Sequence, residues 1–261
     1  MDTSLIAAGA LTGLVVGLTG VGGGALMTPL LLFLGVPPVT AIGTDLWFAA
    51  LTKLVAVKVH HQQGQVDWMV VKRLWCGSLP MAALAVLAVA AGLGMGRVGW
   101  LTQAIALMVM VTGLGILVAP WATARLRQAG PEQQGRWLKH QSALTMLAGA
   151  TLGWVVALTS VGAGALGAVA IMALYPVRMS PQRLVGTDLA HAVPLAVVAG
   201  VGYLLMGQVD TWLLVQLLAG SVPSVVVGSI WANRAPPMLL RALLATALLL
   251  IGFLLLASGA H

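Results

Sequence analysis

Eight long apolar segments run along this chain, and they restrict its fold more than any other feature. Each is about as long as the roughly 20 residues that an α-helix needs to cross a bilayer, or longer. The apolar runs are continuous and do not alternate with polar residues, which excludes a transmembrane β-barrel. We therefore predict an all-α polytopic membrane protein. The segments cover residues 4–34, 39–60, 66–92, 98–119, 142–175, 184–205, 211–231 and 238–257.

Charged residues are too scarce to cover a surface that faces water. They make up 7% of the chain, whereas soluble domains carry about a quarter. This excludes a soluble enzyme, a nucleic-acid binder and a disordered protein. The net charge of +7 is typical of cytoplasmic loops rich in Lys and Arg. The single cysteine, Cys76, excludes an intramolecular disulfide. We expect no metal, no cofactor and, because no catalytic motif is present, no enzymatic activity.

The two halves of the chain repeat each other. Residues 9–26 and 149–166 are identical at 12 of 18 positions, at an offset of 140. The match then resumes at an offset of 143, where the Gly-Thr-Asp of residues 43–45 returns at 186–188. Ordered matches of this kind indicate a duplicated unit. We predict a first repeat over residues 1–120, a linker loop over 121–141 and a second repeat over 142–261.

The first apolar segment of each half is too long for one crossing. Residues 4–34 would form a straight helix of about 46 Å, whereas the hydrocarbon core is about 30 Å thick. Glycines interrupt the middle of the segment, where they disfavour continuous helix. We therefore predict a helical hairpin at the start of each half. A hairpin makes no net crossing, so each repeat becomes a Gly-broken hairpin plus three transmembrane helices, and the two repeats are inverted.

The distribution of Lys and Arg favours this inverted arrangement. With the N-terminus outside, 12 of the 13 Lys and Arg residues lie on the cytoplasmic side, and the exception is Arg97. A single crossing by the first segment of each half would give a split of 8 and 5 instead. Cytoplasmic loops are enriched in these residues. We therefore expect periplasmic N- and C-termini and a cytoplasmic central loop.

The two glycine-rich breaks, the first elbow (residues 19–24) and the second elbow (residues 159–164), are candidate anion sites. A helix that restarts inside the membrane has free backbone N–H groups and a partial positive charge in its first turn. Inverted repeats with broken helices between them are typical of transporters. The alternative is that these glycines only permit close packing. The candidate substrate-binding residues are Thr19, Gly20, Val21, Gly22, Gly23, Gly24, Thr159, Ser160, Val161, Gly162, Ala163 and Gly164.

The Gly-Thr-Asp motifs place one acid inside the membrane in each half. Asp45 and Asp188 lie about 10 Å into their segments, counted from the proline that begins each one. Acids at that depth are costly and are therefore functional candidates. Together with Thr44 and Thr187, they either relay protons or support the elbows by hydrogen bonding.

Lys53 and His191 break the symmetry of the repeat, since their counterparts are Ala196 and Phe48. Lys53 either attracts anions or extends to the lipid headgroups, and we favour the second interpretation. His191 is either an anion contact or, more commonly for a lone His on an apolar helix, a core residue with a satisfied ring. The other two aspartates of the repeat are predicted helix N-caps, Asp67 and Asp210.

The elbows, the Gly-Thr-Asp motifs and the duplication together resemble the sulfite exporter TauE/SafE family. The resemblance covers essentially the whole chain. It implies eight transmembrane segments and the movement of small sulfur-containing or carboxylate anions, such as sulfite, sulfonates or sulfoacetate, across the bacterial inner membrane. The second elbow departs from the Gly-x-Gly-Gly-Gly pattern at Ala163, so the two elbows are not expected to be identical.

We therefore expect a secondary transporter that exports a small anion by alternating access at a midplane site between the elbows. An inside-negative potential favours anion exit by about 2.3 kcal/mol per charge per 100 mV, whereas uptake would need coupling to protons at Asp45 or Asp188. The alternatives are an anion channel and a non-transporting membrane subunit of an enzyme complex. The expected partners are the anion and the lipid bilayer, without nucleic acid, and the sequence is compatible with a homodimer.

Overall fold

The computed structural model describes residues 3–19, 24–92, 99–128, 131–176, 178–232 and 237–258. The described part of the chain folds into ten helices, of which seven are long and apolar enough to cross a membrane. The prediction of an all-α polytopic membrane protein is confirmed. The helices are α1 Thr3–Thr19, α2 Gly24–Phe33, α3 Pro38–Gln62, α4 Trp68–Ala90, α5 Trp100–Gln128, α6 Pro131–Thr159, α7 Ala165–Leu174, α8 Pro181–Leu205, α9 Thr211–Ala232 and α10 Pro237–Ser258.

The long first segment of the second half is interrupted where the glycines predict a break, since residues 160–164 separate α6 from α7. In the first half, α1 ends at Thr19 and α2 begins at Gly24, and residues 20–23 lie outside the described residues. In the second half, Gln141 Nε2 donates a hydrogen bond to the carbonyl of Leu174 at 2.6 Å. The beginning of the apolar part of α6 therefore lies beside the end of α7, and the two helices form a hairpin.

The segment over residues 121–141, predicted as a linker loop, is largely helical instead. α5 continues to Gln128, and α6 begins at Pro131. Glu, Gln and Arg are good helix formers, and proline suits the first position of a helix because the N–H that it lacks has no partner there. The polar composition shows where these helices leave the apolar region, not where they end.

The central helices α3 and α8 begin and end in the same way. Each starts at a proline, Pro38 or Pro181. Shortly after their last turns, Gly64 and Gly207 have φ angles of 66° and 68°, which glycine adopts without steric cost. The N–H groups of these glycines donate to carbonyls of the helix that they close. The repeated proline and glycine positions therefore give α3 and α8 equal lengths.

Helices of the two halves are interleaved, and their contacts are reciprocal. α1 packs along α9, and its counterpart α6 packs along α4. Gly9 lies against the backbone of Leu217 at the first crossing, and Gly149 lies against the backbone of Leu74 at the second. Small residues let helix backbones approach this closely. Each half is therefore held in place largely by the other half.

The apolar core surrounds the central pair of helices and positions the second elbow. It includes Ile42 and Leu46 of α3 and Leu195 and Tyr203 of α8. The Tyr203 hydroxyl donates a hydrogen bond to the carbonyl of Ala157 at 2.9 Å. This bond fixes the last turn of α6 against α8, immediately before the helix breaks.

Candidate functional site

The second elbow is a buried turn between α6 and α7. Thr159 Oγ1 accepts a hydrogen bond from the N–H of Val161 at 3.2 Å. Ser160 has a φ angle of 57° and Gly162 one of 105°, so the chain leaves the helix through two left-handed residues. Val161 is fully buried. The break that the sequence predicts here is therefore a defined structure inside the protein.

Backbone donors are left free where α7 begins. The N–H groups of Leu166, Gly167 and Ala168 donate to carbonyls within the elbow, at 3.1 to 3.3 Å. No described residue accepts a hydrogen bond from the N–H groups of residues 162–165. Since the first turn of a helix also carries a partial positive charge, this buried end of α7 suits a small anion.

The first elbow lies mostly outside the described residues, which include Thr19 at the end of α1 and Gly24 at the start of α2. The predicted binding residues Gly20, Val21, Gly22 and Gly23 fall in the gap. The role of the first elbow therefore remains a prediction that depends on the repeat.

Thr44 and Thr187 brace the loops that precede α9 and α4. Thr187 Oγ1 accepts a hydrogen bond from the N–H of Asp67 at 3.0 Å. In the reciprocal contact, Thr44 Oγ1 accepts one from the N–H of Asp210 at 3.2 Å. Both hydroxyls are buried, so each Gly-Thr-Asp motif of one half holds a loop of the other.

Asp45 and Asp188 lie against the short helix of their own half. The Thr28 hydroxyl of α2 donates a hydrogen bond to Asp45 Oδ2 at 2.5 Å. Asp188 Oδ1 occupies the space that a side chain at Gly167, in the first turn of α7, would fill. Asp45 is also close to Ser160 of the second elbow, although the buried Ser160 Oγ makes no hydrogen bond to a described residue. The two acids therefore adjoin the parts of the structure that an anion would approach.

Lys53 is buried, with 7% of its surface exposed. It interacts electrostatically with both Asp45 and Asp188. Our favoured interpretation, that Lys53 extends to the lipid headgroups, is wrong. α3 has no distinct polar face, so its sequence alone does not distinguish an inward from an outward lysine.

His191 is fully buried beside the same cluster. Its Nε2 lies 3.0 Å from Ser78 Oγ of α4, whereas Nδ1 has no hydrogen-bond partner among the described residues. Only one of the two ring nitrogens of His191 therefore has a hydrogen-bond partner among the described residues. Sequence reasoning missed Thr28 and Ser78 as partners. Ser78 returns as Ser221 at the offset of 143 and could have been selected on that ground. Across the described residues, no three His, Cys, Asp or Glu side chains are grouped as a metal site requires.

Of the two predicted helix N-caps, Asp210 caps its helix and Asp67 does not. Asp210 Oδ1 accepts a hydrogen bond from the N–H of Leu213 at 2.9 Å, so its capping role is confirmed. Asp67 makes no such bond with α4. Its buried carboxylate instead pairs with Arg178 at 2.5 Å and with Arg183 at 3.6 Å. The side chain thus turns away from the helix that it precedes, because two guanidinium groups offer charged donors.

Comparison with known proteins identifies the family to which this chain belongs. The family model described as sulfite exporter TauE/SafE matches residues 5–255. The chain belongs to the TauE/SafE family. As a member of that family, it is a multi-pass membrane transporter, which agrees with the prediction from its sequence.

Two proteins of Bacillus subtilis strain 168 are similar to this TauE/SafE family member along most of their length. The probable membrane transporter protein YjnA is 37% identical over 98% of this chain and 100% of its own. The probable membrane transporter protein YdhB is 25% identical over 94% of this chain and 96% of its own. No solved structure matches the chain.

Proposed function

We propose that the protein exports small sulfur-containing or carboxylate anions, of the sulfite, sulfonate or sulfoacetate type, across the bacterial inner membrane. The second elbow carries this proposal, because backbone N–H groups without a described acceptor lie there at the buried end of α7. Backbone dipoles bind an anion without holding it as a fixed charge pair would. Thr159 to Gly164 and, by the repeat, Thr19 to Gly24 would surround the substrate.

An inverted relation between the repeats is part of this proposal, and the Asp67 ion pair supports it. Arg178 follows the α6–α7 hairpin, whereas Asp67 precedes α4. In the inverted arrangement, both residues lie on the cytoplasmic side. If the first segment of each half crossed the membrane once, Arg178 and Asp67 would lie on opposite sides and could not pair. The inverted arrangement also gives periplasmic N- and C-termini.

Alternating access follows from two elbows that approach one site from opposite directions. In transporters built from inverted repeats, the site stays near the midplane while the helices around it open to one side or the other. Lys53 and His191 would contribute positive charge and a ring donor near the anion, and Asp45 and Asp188 would support the elbows or carry protons.

Flux into liposomes tests the proposed function. We expect purified protein to transport at least one of sulfite, sulfoacetate and methanesulfonate with saturable kinetics, and to show counterflow. Gly162→Val should abolish this flux, because the φ angle of 105° suits glycine alone. Gly115→Ala in α5 is the matched control, since an added Cβ there meets its nearest neighbour at 3.7 Å. Flux that neither saturates nor shows counterflow would indicate a channel. Absence of flux for all three anions would contradict the proposal.

A further inference from the structure

The buried charges at the centre of the molecule do not balance. Asp45 and Asp188 contribute two negative charges when ionised, whereas Lys53 contributes one positive charge. The repeat supplies no second cation, because the counterpart of Lys53 is Ala196. An anion bound beside this cluster would add another negative charge in a region of low dielectric, where repulsion is strong. The net charge of the cluster would fall from −1 to −2 when a monovalent anion binds, and one proton would restore it to −1.

The two acids differ in how well the protein stabilises their ionised form. Asp45 accepts a hydrogen bond from Thr28. Oδ1 of both acids is buried without a described partner, but no described residue donates a hydrogen bond to the other oxygen of Asp188 as Thr28 does for Asp45. The reason is visible in the repeat, since the counterpart of Thr28 is Ala168. A buried carboxylate without donors is costly to keep charged, so Asp188 is the better place for a proton.

Asp188 also touches the place where the anion would bind. Its Oδ1 lies against Gly167 in the first turn of α7, next to the free N–H groups of the second elbow. As a carboxylate it would repel a bound anion, whereas as a carboxylic acid it could donate a hydrogen bond to that anion. Lys53 of α3 is the charged group that interacts with Asp188. α7 itself has no titratable side chain, and Arg73 of α4 is hydrogen-bonded to Tyr175.

We infer that Asp188 takes up one proton for each monovalent anion that binds at the second elbow, so that proton and anion cross the membrane together. This rests on the proposed function. The two ligands would favour each other's binding by the same factor, as linkage requires. Transport of a proton with a monovalent anion moves no net charge. The membrane potential then exerts no force, and export occurs when the internal anion concentration outweighs the opposing pH gradient.

Liposomes containing a pH-sensitive dye test this coupling, with methanesulfonate as the probe because it stays ionised through the neutral range. For the wild-type protein, we expect about one proton to enter with each anion and the flux to be insensitive to a potassium diffusion potential. Asp188→Asn should remove the proton movement and make the remaining flux sensitive to the potential. Asp45→Asn should leave the ratio of protons to anions unchanged, even where the transport rate of the variant is lower.

The repeat supplies a second, milder test. Ala168→Thr should give Asp188 the donor that Thr28 gives Asp45, and so shift the pH midpoint of transport to lower pH. Thr28→Ala is the matched control and should leave that midpoint in place. Anion flux without proton movement in the wild type would overturn the inference and leave the proposed function intact. An unchanged proton ratio in Asp188→Asn would also overturn it, as would an unmoved midpoint in Ala168→Thr. Absence of any anion flux would remove the proposed function and this inference together.

Discussion

Ser160 is the one described residue other than glycine with a positive φ angle, at 57°. A left-handed conformation costs a residue with a Cβ about 1 kcal/mol or more. At the corresponding position the first half has Gly20. The second elbow therefore places a hydroxyl beside Asp45 at a cost in backbone energy. Local strain of this kind occurs preferentially at functional sites.

Two substitutions at Ser160 separate the effect of its backbone conformation from the effect of its hydroxyl. Ser160→Gly should raise the free energy of unfolding by up to about 1 kcal/mol, because the strain disappears. Ser160→Ala should not, because the strain remains. Both should reduce anion flux several-fold if the hydroxyl contacts the anion. Thermal unfolding in detergent and liposome flux measure the two effects. Full flux in both variants would exclude a role for the hydroxyl.

At this scale, the sequence predicted two acids inside the apolar region, and both are buried, but it did not predict what surrounds them. Asp45 and Asp188 stand out because an acid in an apolar segment is rare. Thr28 and the buried position of Lys53 could not be inferred, because they depend on which helix faces lie together. The partner of Asp67 was missed for the same reason, since Arg178 is distant in sequence.

The helix pairs α1–α9 and α4–α6 depend on glycine contacts between backbones. A Cβ added at Gly153 would overlap the backbone of Ser78, and one added at Gly13 would overlap that of Ser221. These positions are counterparts in the repeat. Together with Gly9 and Gly149, they let each helix pack backbone to backbone against a helix of the other half.

Gly153→Ala should therefore lower the free energy of unfolding by about 1–3 kcal/mol, as overpacking does. The control, Gly115→Ala in α5, should be neutral or stabilising by up to about 1 kcal/mol, because alanine is the better helix former and the added Cβ makes only an ordinary van der Waals contact, at 3.7 Å. Both can be compared by denaturant unfolding in the same detergent. Equal stability of the two variants would contradict the close approach of α4 and α6.

At the level of elements, the sequence predicted the break between α6 and α7 well and the central connection poorly. Glycine runs in the middle of an apolar segment indicate a break because they disfavour helix and leave no side chain to bury. The polar stretch around Pro131 was interpreted as a loop. Hydropathy reports contact with lipid, however, and a helix can continue into water when its residues favour helix.

For the whole molecule, inverted repeats predict that equivalent loops lie on opposite sides of the membrane. The native Cys76 is exposed, so Cys76→Ser provides the background. In it, Gln63→Cys after α3 should react with a membrane-impermeant thiol reagent only from the cytoplasm. Thr211→Cys, at the start of α9, should react only from the periplasm. Labelling of intact cells and of inverted vesicles measures this, and labelling of both positions from one side would show parallel repeats.

The interleaving of α1 with α9 bears on how the protein is made. About 190 residues separate the end of α1 from the start of α9, and at roughly 5–20 residues per second their synthesis takes about 10–40 s. Through that time, α1 presents Gly9 and Gly13 to lipid without the surface of α9 that later covers them. α6, by contrast, meets α4 already in place. An insertase or a membrane protease therefore has the longest opportunity to act while only the first half has been synthesised.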